Sequence, residues 1–331
     1  MKKLLFIIII FMIISCQNEN EHLLSGPYLG QKLPGDSAEL FAPGIVSTGI
    51  SERDLAIYPD GKEIYFCRNL GNNKFATIFY TKQVDGEWTQ PEVLEFCQNP
   101  NYTYIEPFIS PDGDKLFFVS NMNENDGEPK STDVWISDRV NGHWGEPYNP
   151  GEPVNSGQNE YFPSVTQDGT LYLTKPDESG REYIFRFQFN DGKYINPEKL
   201  SKNVNCGRAR YNAVISPDES FMIVPAFGMD DSFGGTDYYI VFRNENDEWS
   251  KPINMGDKVN SADPREWSAA FSPDGKYLFF MSARGMQENH LPAKLNAETF
   301  KQLNNSPQNG NTDIYWIKAD FIEGLKEKAV F

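Results

Sequence analysis

Charged and aromatic residues recur along the 331-residue chain, each time just ahead of a short apolar segment. Arginine forks bind carboxylates in a bidentate manner, and tyrosine and tryptophan rings offer stacking surface. Two glutamates held close together could instead act as acid and base on a glycosidic bond. The candidate residues of this kind are Glu106, Glu160, Tyr161, Arg210, Tyr211, Arg265, Glu266 and Trp267.

A pattern that recurs five times must position these residues. It consists of a short apolar strand, a turn of the type Pro-Asp-Gly, and a second apolar strand. Proline fixes φ, aspartate bonds its own backbone and glycine accepts positive φ, which is the chemistry of a hairpin turn. The turns follow one another at intervals of 50 to 56 residues, a spacing expected of propeller blades. We interpret their aspartates as turn residues rather than catalysts: Asp60, Asp112, Asp168, Asp218 and Asp274.

Each repeat continues with a third strand that is rich in aromatic and β-branched residues. Four repeats add a fourth segment with an aromatic residue three positions before a proline, which suits an outer edge strand. The fifth repeat lacks this segment, but residues 40–43 near the N-terminus supply a similar one. We therefore predict an all-β protein with a single β-propeller of five four-stranded blades over residues 26–331, closed by an N-terminal strand. The alternative is six blades, with a poorly marked one within residues 283–312.

Several stretches of the repeat resemble the TolB-type propeller family, which is related in shape to WD-type propellers. They are residues 234–239, 249–252, 256–261 and 272–280. The resemblance covers about residues 26–325 and implies the propeller fold. It also implies a role in binding, because the family includes TolB itself, a six-bladed periplasmic protein that binds other envelope proteins. It transfers no catalytic residue to this chain.

The N-terminus predicts export. Two lysines precede an apolar run over residues 4–14, which is too short for a standard transmembrane helix and typical of a signal peptide. Residues 13–16 resemble the lipobox of bacterial lipoproteins, which implies that residues 1–15 are removed and that Cys16 carries the lipid. Polar residues then form a predicted flexible tether over 16–25, whose Glu19 and Glu21 loosely resemble a surface-export signal of Bacteroidetes-type lipoproteins. An ordinary cleaved signal or an uncleaved anchor remains open, and both also export the chain.

Composition excludes several classes of partner. With 30 basic and 47 acidic residues the net charge is −17, which disfavours nucleic acid and leaves the lipid as the only attachment to a membrane. Three histidines and four cysteines without ligand-like spacing predict neither a metal site nor a cofactor. Besides Cys16, we expect buried free thiols at Cys67, Cys97 and Cys206, although a Cys67–Cys97 bridge is conceivable. A monomer is expected.

If the Pro-Asp-Gly turns lie on one face of the ring, the eight candidate residues line a funnel mouth on the other. We predict an envelope-anchored binding or scaffold module for protein or glycan ligands, placed at the outer membrane on its periplasmic or surface side, with no catalysis expected. The alternative is a carbohydrate-active hydrolase or lyase that uses the funnel glutamates. A purely structural role for the mouth residues, pairing across the channel, also stays open. Residues 283–312 predict a short helix around Leu295, Phe300 and Leu303, as a lid or a surface insertion.

Overall fold

The computed structural model describes residues 24–71, 73–123, 127–263, 265–286 and 291–331. The predicted signal peptide over 1–15, Cys16, Glu19, Glu21 and the rest of the tether up to residue 23 lie outside the described residues. Within the described ranges, no helix has the length and apolar character needed to cross a membrane.

A short strand, β1 (Glu39–Leu40), precedes five antiparallel sheets, which follow one another along the chain as blades 1 to 5. Blade 1 contains β2 (Ser51–Ile57), β3 (Glu63–Leu70), β4 (Phe75–Val84), β5 (Glu87–Trp88) and β6 (Glu92–Val93). Blade 2 contains β7 (Tyr104–Ile109), β8 (Lys115–Ser120), β9 (Asp133–Val140) and β10 (His143–Trp144). Blade 3 contains β11 (Tyr161–Val165), β12 (Leu171–Pro176), β13 (Glu182–Asn190) and β14 (Lys193–Lys199). Blade 4 contains β15 (Ala209–Arg210), β16 (Val214–Ile215), β17 (Phe221–Phe227), β18 (Thr236–Phe242) and β19 (Ile253–Asn254), and blade 5 contains β20 (Ala269–Phe271), β21 (Tyr277–Ser282) and β22 (Asp313–Lys318).

The five sheets form a five-bladed β-propeller, as predicted. The first strands of neighbouring blades contact one another, which places them around the central axis, and the later strands follow outward. In blade 1, β5 and β6 both pair with β4 and together form the fourth strand. In blade 4, β15 and β16 both pair with β17 and together form the first strand. The middle strands are buried on both sides between neighbouring blades, so they appear in the sequence as continuous apolar runs rather than alternating ones.

The Pro-Asp-Gly turns join the first strand of each blade to the second. In blade 2, Asp112 accepts hydrogen bonds from the Ser110 hydroxyl at 2.5 Å and the Asp114 amide at 3.0 Å, and Gly113 has a φ of +79°. The face that carries these turns is called the turn face here. The opposite face, at which the first strands begin and the second strands end, is called the mouth face.

The N-terminal strand closes the ring, as predicted. Strand β1 pairs antiparallel with β22, where Leu40 lies opposite Tyr315. The next residue, Phe41, is fully buried and packs against Phe279 and Trp316 at ring-centroid distances of 5.0 and 5.1 Å. Blade 5 therefore obtains its fourth strand from the start of the chain, and both chain ends are tied into one sheet.

The predicted short helix lies between β21 and β22. It is α1 (Ala297–Asn304), and the Asn296 side chain caps it by accepting from the Glu298 and Thr299 amides. The described residues of 283–312 contain no strand, so this segment does not form a sixth blade. A second helix, α2 (Phe321–Lys326), follows β22 and buries Ile322 and Leu325 in the core of blades 4 and 5. Two 3₁₀ turns lie at Tyr28–Gly30 and Glu95–Cys97.

The three cysteines of the described domain are free and buried, so the conceivable bridge between Cys67 and Cys97 is not formed. Burial raises the pKa of the Cys206 thiol to about 11 and those of Cys67 and Cys97 well above the usual value. Thiolates are the reactive form of cysteine, so these thiols are chemically protected.

Replacing Phe41 by alanine tests the closure. We expect Phe41→Ala to lower the free energy of unfolding by about 3 to 5 kcal/mol, because it empties a fully buried ring site between two blade strands. Denaturant titration measures the loss. Phe233→Ala is the control, since that ring is 49% exposed and its removal should change stability by less than about 0.5 kcal/mol. Equal effects of the two substitutions would contradict the role of Phe41.

Candidate ligand-binding site

A cavity of about 710 Å³ opens on the mouth face between blades 5 and 1. Its walls are the start of β2, the end of β3, the residues just before β20, the loop that follows β1, and the segment after α1. Its polar and aromatic side chains include Arg53, Arg68, Arg265, Asn69, Asn73, Asn304, Asn305, Asn311 and Trp267. The two ends of the chain thus build the cavity together.

The lining of the cavity is rich in arginine. Three of its eighteen described lining residues are arginines, and none of the eighteen is aspartate or glutamate, although the whole chain carries a net charge of −17. Arg265 is the least engaged of the three: its side chain is 38% exposed, donates to the Gly310 carbonyl and lies 3.7 Å from Asp263. A guanidinium with free donors in a partly enclosed site is suited to a carboxylate.

Arg68 forms one side of the cavity and is held by the protein. Its guanidinium lies over the rings of Phe66 and Phe79 at 5.2 and 4.8 Å, and donates to the Ile45 carbonyl at 2.5 Å. The Glu52 carboxylate lies 3.4 Å away. These contacts fix the orientation of Arg68, while its position in the lining leaves part of its surface facing the cavity.

Three of the predicted residues come together at this place. Arg265 and Trp267 line the cavity, and the ring of Tyr211 lies 6.2 Å from that of Trp267 at an angle of 39°. Trp267 is half-buried, so one part of the indole packs on the domain while another remains available. Tyr211 supports the indole from blade 4.

Glu106, by contrast, lies in the closed centre of the ring. The equivalent positions of the five first strands are each at most 6% exposed: Asp54, Glu106, Phe162, Asn212 and Ser268. Glu106 accepts from Arg53 at 2.8 Å, from the Asn212 amide at 3.1 Å and from the Phe162 backbone at 2.6 Å. Burial raises the pKa of Glu106, and the Arg53 guanidinium opposes that rise. This carboxylate therefore connects four blades around the axis.

Glu160 and Glu266 serve a repeated structural motif. Each follows a Val-Asn-Ser triplet and accepts a hydrogen bond from its serine: Ser156 to Glu160 at 2.5 Å, and Ser261 to Glu266 at 2.8 Å. Glu52 repeats the arrangement by accepting from the Thr48 hydroxyl at 2.6 Å. All three glutamates are fully buried and fasten the start of a first strand to the loop before it.

The central residue of the triplet attaches that loop to the preceding blade. Asn155 both accepts from the Val134 amide and donates to its carbonyl, each at 2.8 Å. Asn260 does the same with Tyr238 at 2.7 and 3.1 Å. The motif is visible in the sequence as Val-Asn-Ser at residues 154–156 and 259–261, with the variants Val-Ser-Thr at 46–48 and Val-Asn-Cys at 204–206. This repeated triplet is the signal that identifies the glutamates as structural.

Arg210 and Tyr161 lie away from the cavity lining. Arg210 takes the position of the motif glutamate in blade 4, and its guanidinium donates to the carbonyls of Cys206 at 3.3 Å and Glu182 at 2.9 Å. It also lies over the Tyr183 ring at 5.2 Å. Tyr161 is partly buried and packs between core clusters. Among the described residues, there is no group of three or more potential metal-ligating side chains.

The segment after α1 is fastened to the loop that follows β1. The side-chain amides of Asn309 and Asn311 donate to the Gly49 carbonyl at 3.0 and 2.9 Å. The Gly49 backbone lies so close to Asn305 that an added Cβ would meet the Asn305 backbone at 2.6 Å. Glycine is therefore required at this contact, which forms one wall of the cavity.

The buried carboxyl groups predict a pH dependence of stability. Burial raises the pKa of Glu52, Glu266 and Asp313 to about 7, above their values in the unfolded chain. The folded state therefore binds more protons than the unfolded chain. The contribution of these groups to the free energy of unfolding is fully present below the unfolded pKa and is lost as the pH rises through about 7. We expect a melting temperature several degrees lower at about pH 8.5 than at about pH 6, with a smaller difference in the Glu52→Gln, Glu266→Gln variant. A melting temperature that rises over this range would contradict the prediction.

Replacing Gly49 by alanine tests the contact between the two chain ends. The added methyl group must displace the Asn305 backbone, so trypsin should cut at Lys294 and Lys301 several-fold faster than in the native chain. Gly35→Ala is the matched control, because a Cβ at Gly35 meets nothing within 4 Å. Unchanged cleavage in Gly49→Ala would show that the segment after α1 is not held by this loop.

Comparison with known proteins gives distant structural similarity. No protein-family model matches the chain, and no curated protein matches its sequence. TolB from Acinetobacter baumannii is similar with a TM-score of 0.48 and 15% identity over 82% of this chain, which spans 57% of that protein's length. A TolB candidate from Agrobacterium tumefaciens gives 0.46 and 13% over 81% of this chain and 90% of that one. A protein of unknown function from Dyadobacter fermentans gives 0.46 and 13% over 75% and 79%.

Proposed function

We propose that this protein is a binding module of the cell envelope, exported and attached by a lipid at Cys16, whose mouth cavity receives an anionic group on a protein or glycan ligand. One observation carries the proposal. The described lining of the cavity holds Arg53, Arg68 and Arg265 and no acidic residue, in a chain with a net charge of −17. Such a concentration of guanidinium groups stabilises a bound anion.

The arginines differ in how far carboxylates of the domain balance their charges, and this difference supports the proposal. Arg53 is compensated by Glu106 and Asp54 in the closed centre, at 2.8 and 2.5 Å. Arg68 is partly compensated by Glu52 at 3.4 Å, while Arg265 is the most exposed of the three and forms the longest ion pair, with Asp263 at 3.7 Å. A ligand carboxylate would find its direct partner in Arg265, because the charges of Arg53 and Arg68 are already balanced by carboxylates of the domain.

The geometry favours binding over glycosidic chemistry. A hydrolase or lyase of the predicted kind would need two glutamates facing the substrate. Glu160 and Glu266 are occupied by their motif serines and Glu106 by Arg53, and none of the three lines the cavity. Binding is therefore the function that we propose for these residues.

The position of the first described residues supports access to the mouth. The Leu24 carbonyl accepts a hydrogen bond from the Trp88 amide, and Ser25 forms an isolated β-bridge with Glu87. Trp88 and Glu87 form β5, which lies at the turn face. Leu24 and Ser25 belong to the predicted tether over 16–25. A lipid anchored at Cys16 would therefore hold the turn face toward the membrane and leave the mouth face open to partners. In this proposal the protein acts as a monomer, and neither nucleic acid nor a cofactor takes part.

An affinity experiment with native envelope extract tests the proposal. The immobilised chain, started after Cys16, is compared with the variants Arg265→Gln and Trp267→Ala. We expect the variants to recover at least about tenfold less of the ligand, because each loses a direct contact in the cavity. Glutamine at position 265 can still donate to the Gly310 carbonyl, so the wall of the cavity should remain in place.

Arg181→Gln is the matched control, because Arg181 is an exposed arginine outside the cavity lining. The control should recover the native amount of ligand, and equal melting temperatures should confirm that all variants are folded. Equal recovery by the native chain and both cavity variants would refute the mouth cavity as the binding site.

A further inference from the structure

Resting on the proposed binding role, we infer that the ligand of the mouth cavity is an acidic oligosaccharide, a short glycan whose sugars carry carboxylates. Three features of the described lining point to this chemistry: amide side chains, one supported indole ring, and three arginines with no aspartate or glutamate among the lining residues. Each feature matches a different part of such a sugar.

The amide side chains match the hydroxyl groups. Five asparagines line the cavity: Asn69, Asn73, Asn304, Asn305 and Asn311. A side-chain amide donates and accepts in one plane, as a pair of neighbouring sugar hydroxyls does. Asn69 is only 9% exposed and donates to Asn73 at 2.7 Å, so the hydrogen bond holds these two side-chain amides together in the wall before a ligand arrives.

The indole of Trp267 matches the apolar face of a sugar ring. It is half-buried in the lining and is supported by the Tyr211 ring at 6.2 Å, so its orientation is held before the ligand arrives. A rigid, flat apolar surface beside hydrogen-bonding groups is suited to a ring that is apolar on one face and polar at its edge. The cavity volume of about 710 Å³ is in the range of small-ligand sites and favours a short oligosaccharide.

The arginines decide between acidic and neutral sugars. A neutral sugar offers hydroxyl groups, which are commonly bound by carboxylates. The described lining contains no carboxylate side chain. A guanidinium is a planar fork that fits a carboxylate, and it would gain little from a neutral ring. Arg265, with its exposed donors, is the direct contact for the sugar carboxylate.

The walls are less suited to an extended peptide. Such a peptide is held mainly by main-chain hydrogen bonds to an open strand edge. At the cavity, the edge of β2 is already closed, because the Glu52 amide donates to the Thr312 carbonyl at 2.8 Å. An apolar groove of about 480 Å³ shares Ile50, Arg68 and Leu70 with the cavity, and it makes an acidic and apolar peptide the competing outcome of the test.

Calorimetric titration tests the inference with three probes: tetragalacturonate, neutral maltotetraose, and an acetylated tetrapeptide of two aspartates and two leucines. We expect tetragalacturonate to bind and maltotetraose not to bind. Affinity for tetragalacturonate should fall at least about tenfold in Arg265→Gln and in Trp267→Ala, and stay within about twofold in Arg181→Gln. It should also weaken with added salt, as a charge-assisted contact does.

Equal binding of both saccharides, preferred binding of the peptide, or no binding of tetragalacturonate at millimolar concentration would each overturn the inference. The envelope experiment separates this failure from that of the proposed function. If tetragalacturonate does not bind but Arg265→Gln still loses an envelope ligand, the binding role stands and the glycan assignment falls. If neither experiment depends on Arg265 or Trp267, both fall.

Discussion

The structure depends on the closure of the ring through β1 and β22. Without β1, blade 5 would expose the edge of β22, and such edges are prone to pair with other chains. By placing Phe41 between Phe279 and Trp316, the closing strand also ties the start of the chain to its last blade. The loop after β1 and the segment after α1 therefore meet at Gly49, and the cavity exists only because these distant parts of the sequence are neighbours.

The charged side chains of the closed ring fall into two groups: those that hold the blades together and those that remain available to a ligand. Toward the axis, Glu106 binds groups from three other blades, and its charge is balanced by Arg53. At the loops, motif glutamates such as Glu160 are buried and accept hydrogen bonds from hydroxyl groups of the preceding loop. What remains at the mouth is Arg265 beside Trp267, with polar amides around them. An acidic protein thus presents a basic cavity, because its acidic residues at this face are already used to hold the blades together.

The fold could be predicted from the sequence because the hairpin turns carry their own chemistry and recur at blade spacing. The positions of Arg265 and Trp267 at the mouth could be predicted from the sequence for the same reason. Arg53 also stands before a first strand and could be placed near the mouth in the same way, but Arg68 could not, because it belongs to the cavity only through the meeting of the two chain ends, which no local pattern indicates. Arg210 was predicted as a ligand contact because its type fits one, but the triplet at 204–206 places it among structural residues that bind backbone carbonyls.

Photocrosslinking in cells that produce the protein tests the central claim most directly, because it reports what touches the mouth without assuming the ligand. A benzophenone amino acid replaces Leu70, which is 53% exposed at the cavity rim, or Phe233, which is exposed outside the lining. The account predicts a specific adduct from position 70, lost with Arg265→Gln, and none from position 233. No adduct at position 70, or the same adducts from both positions, would contradict it.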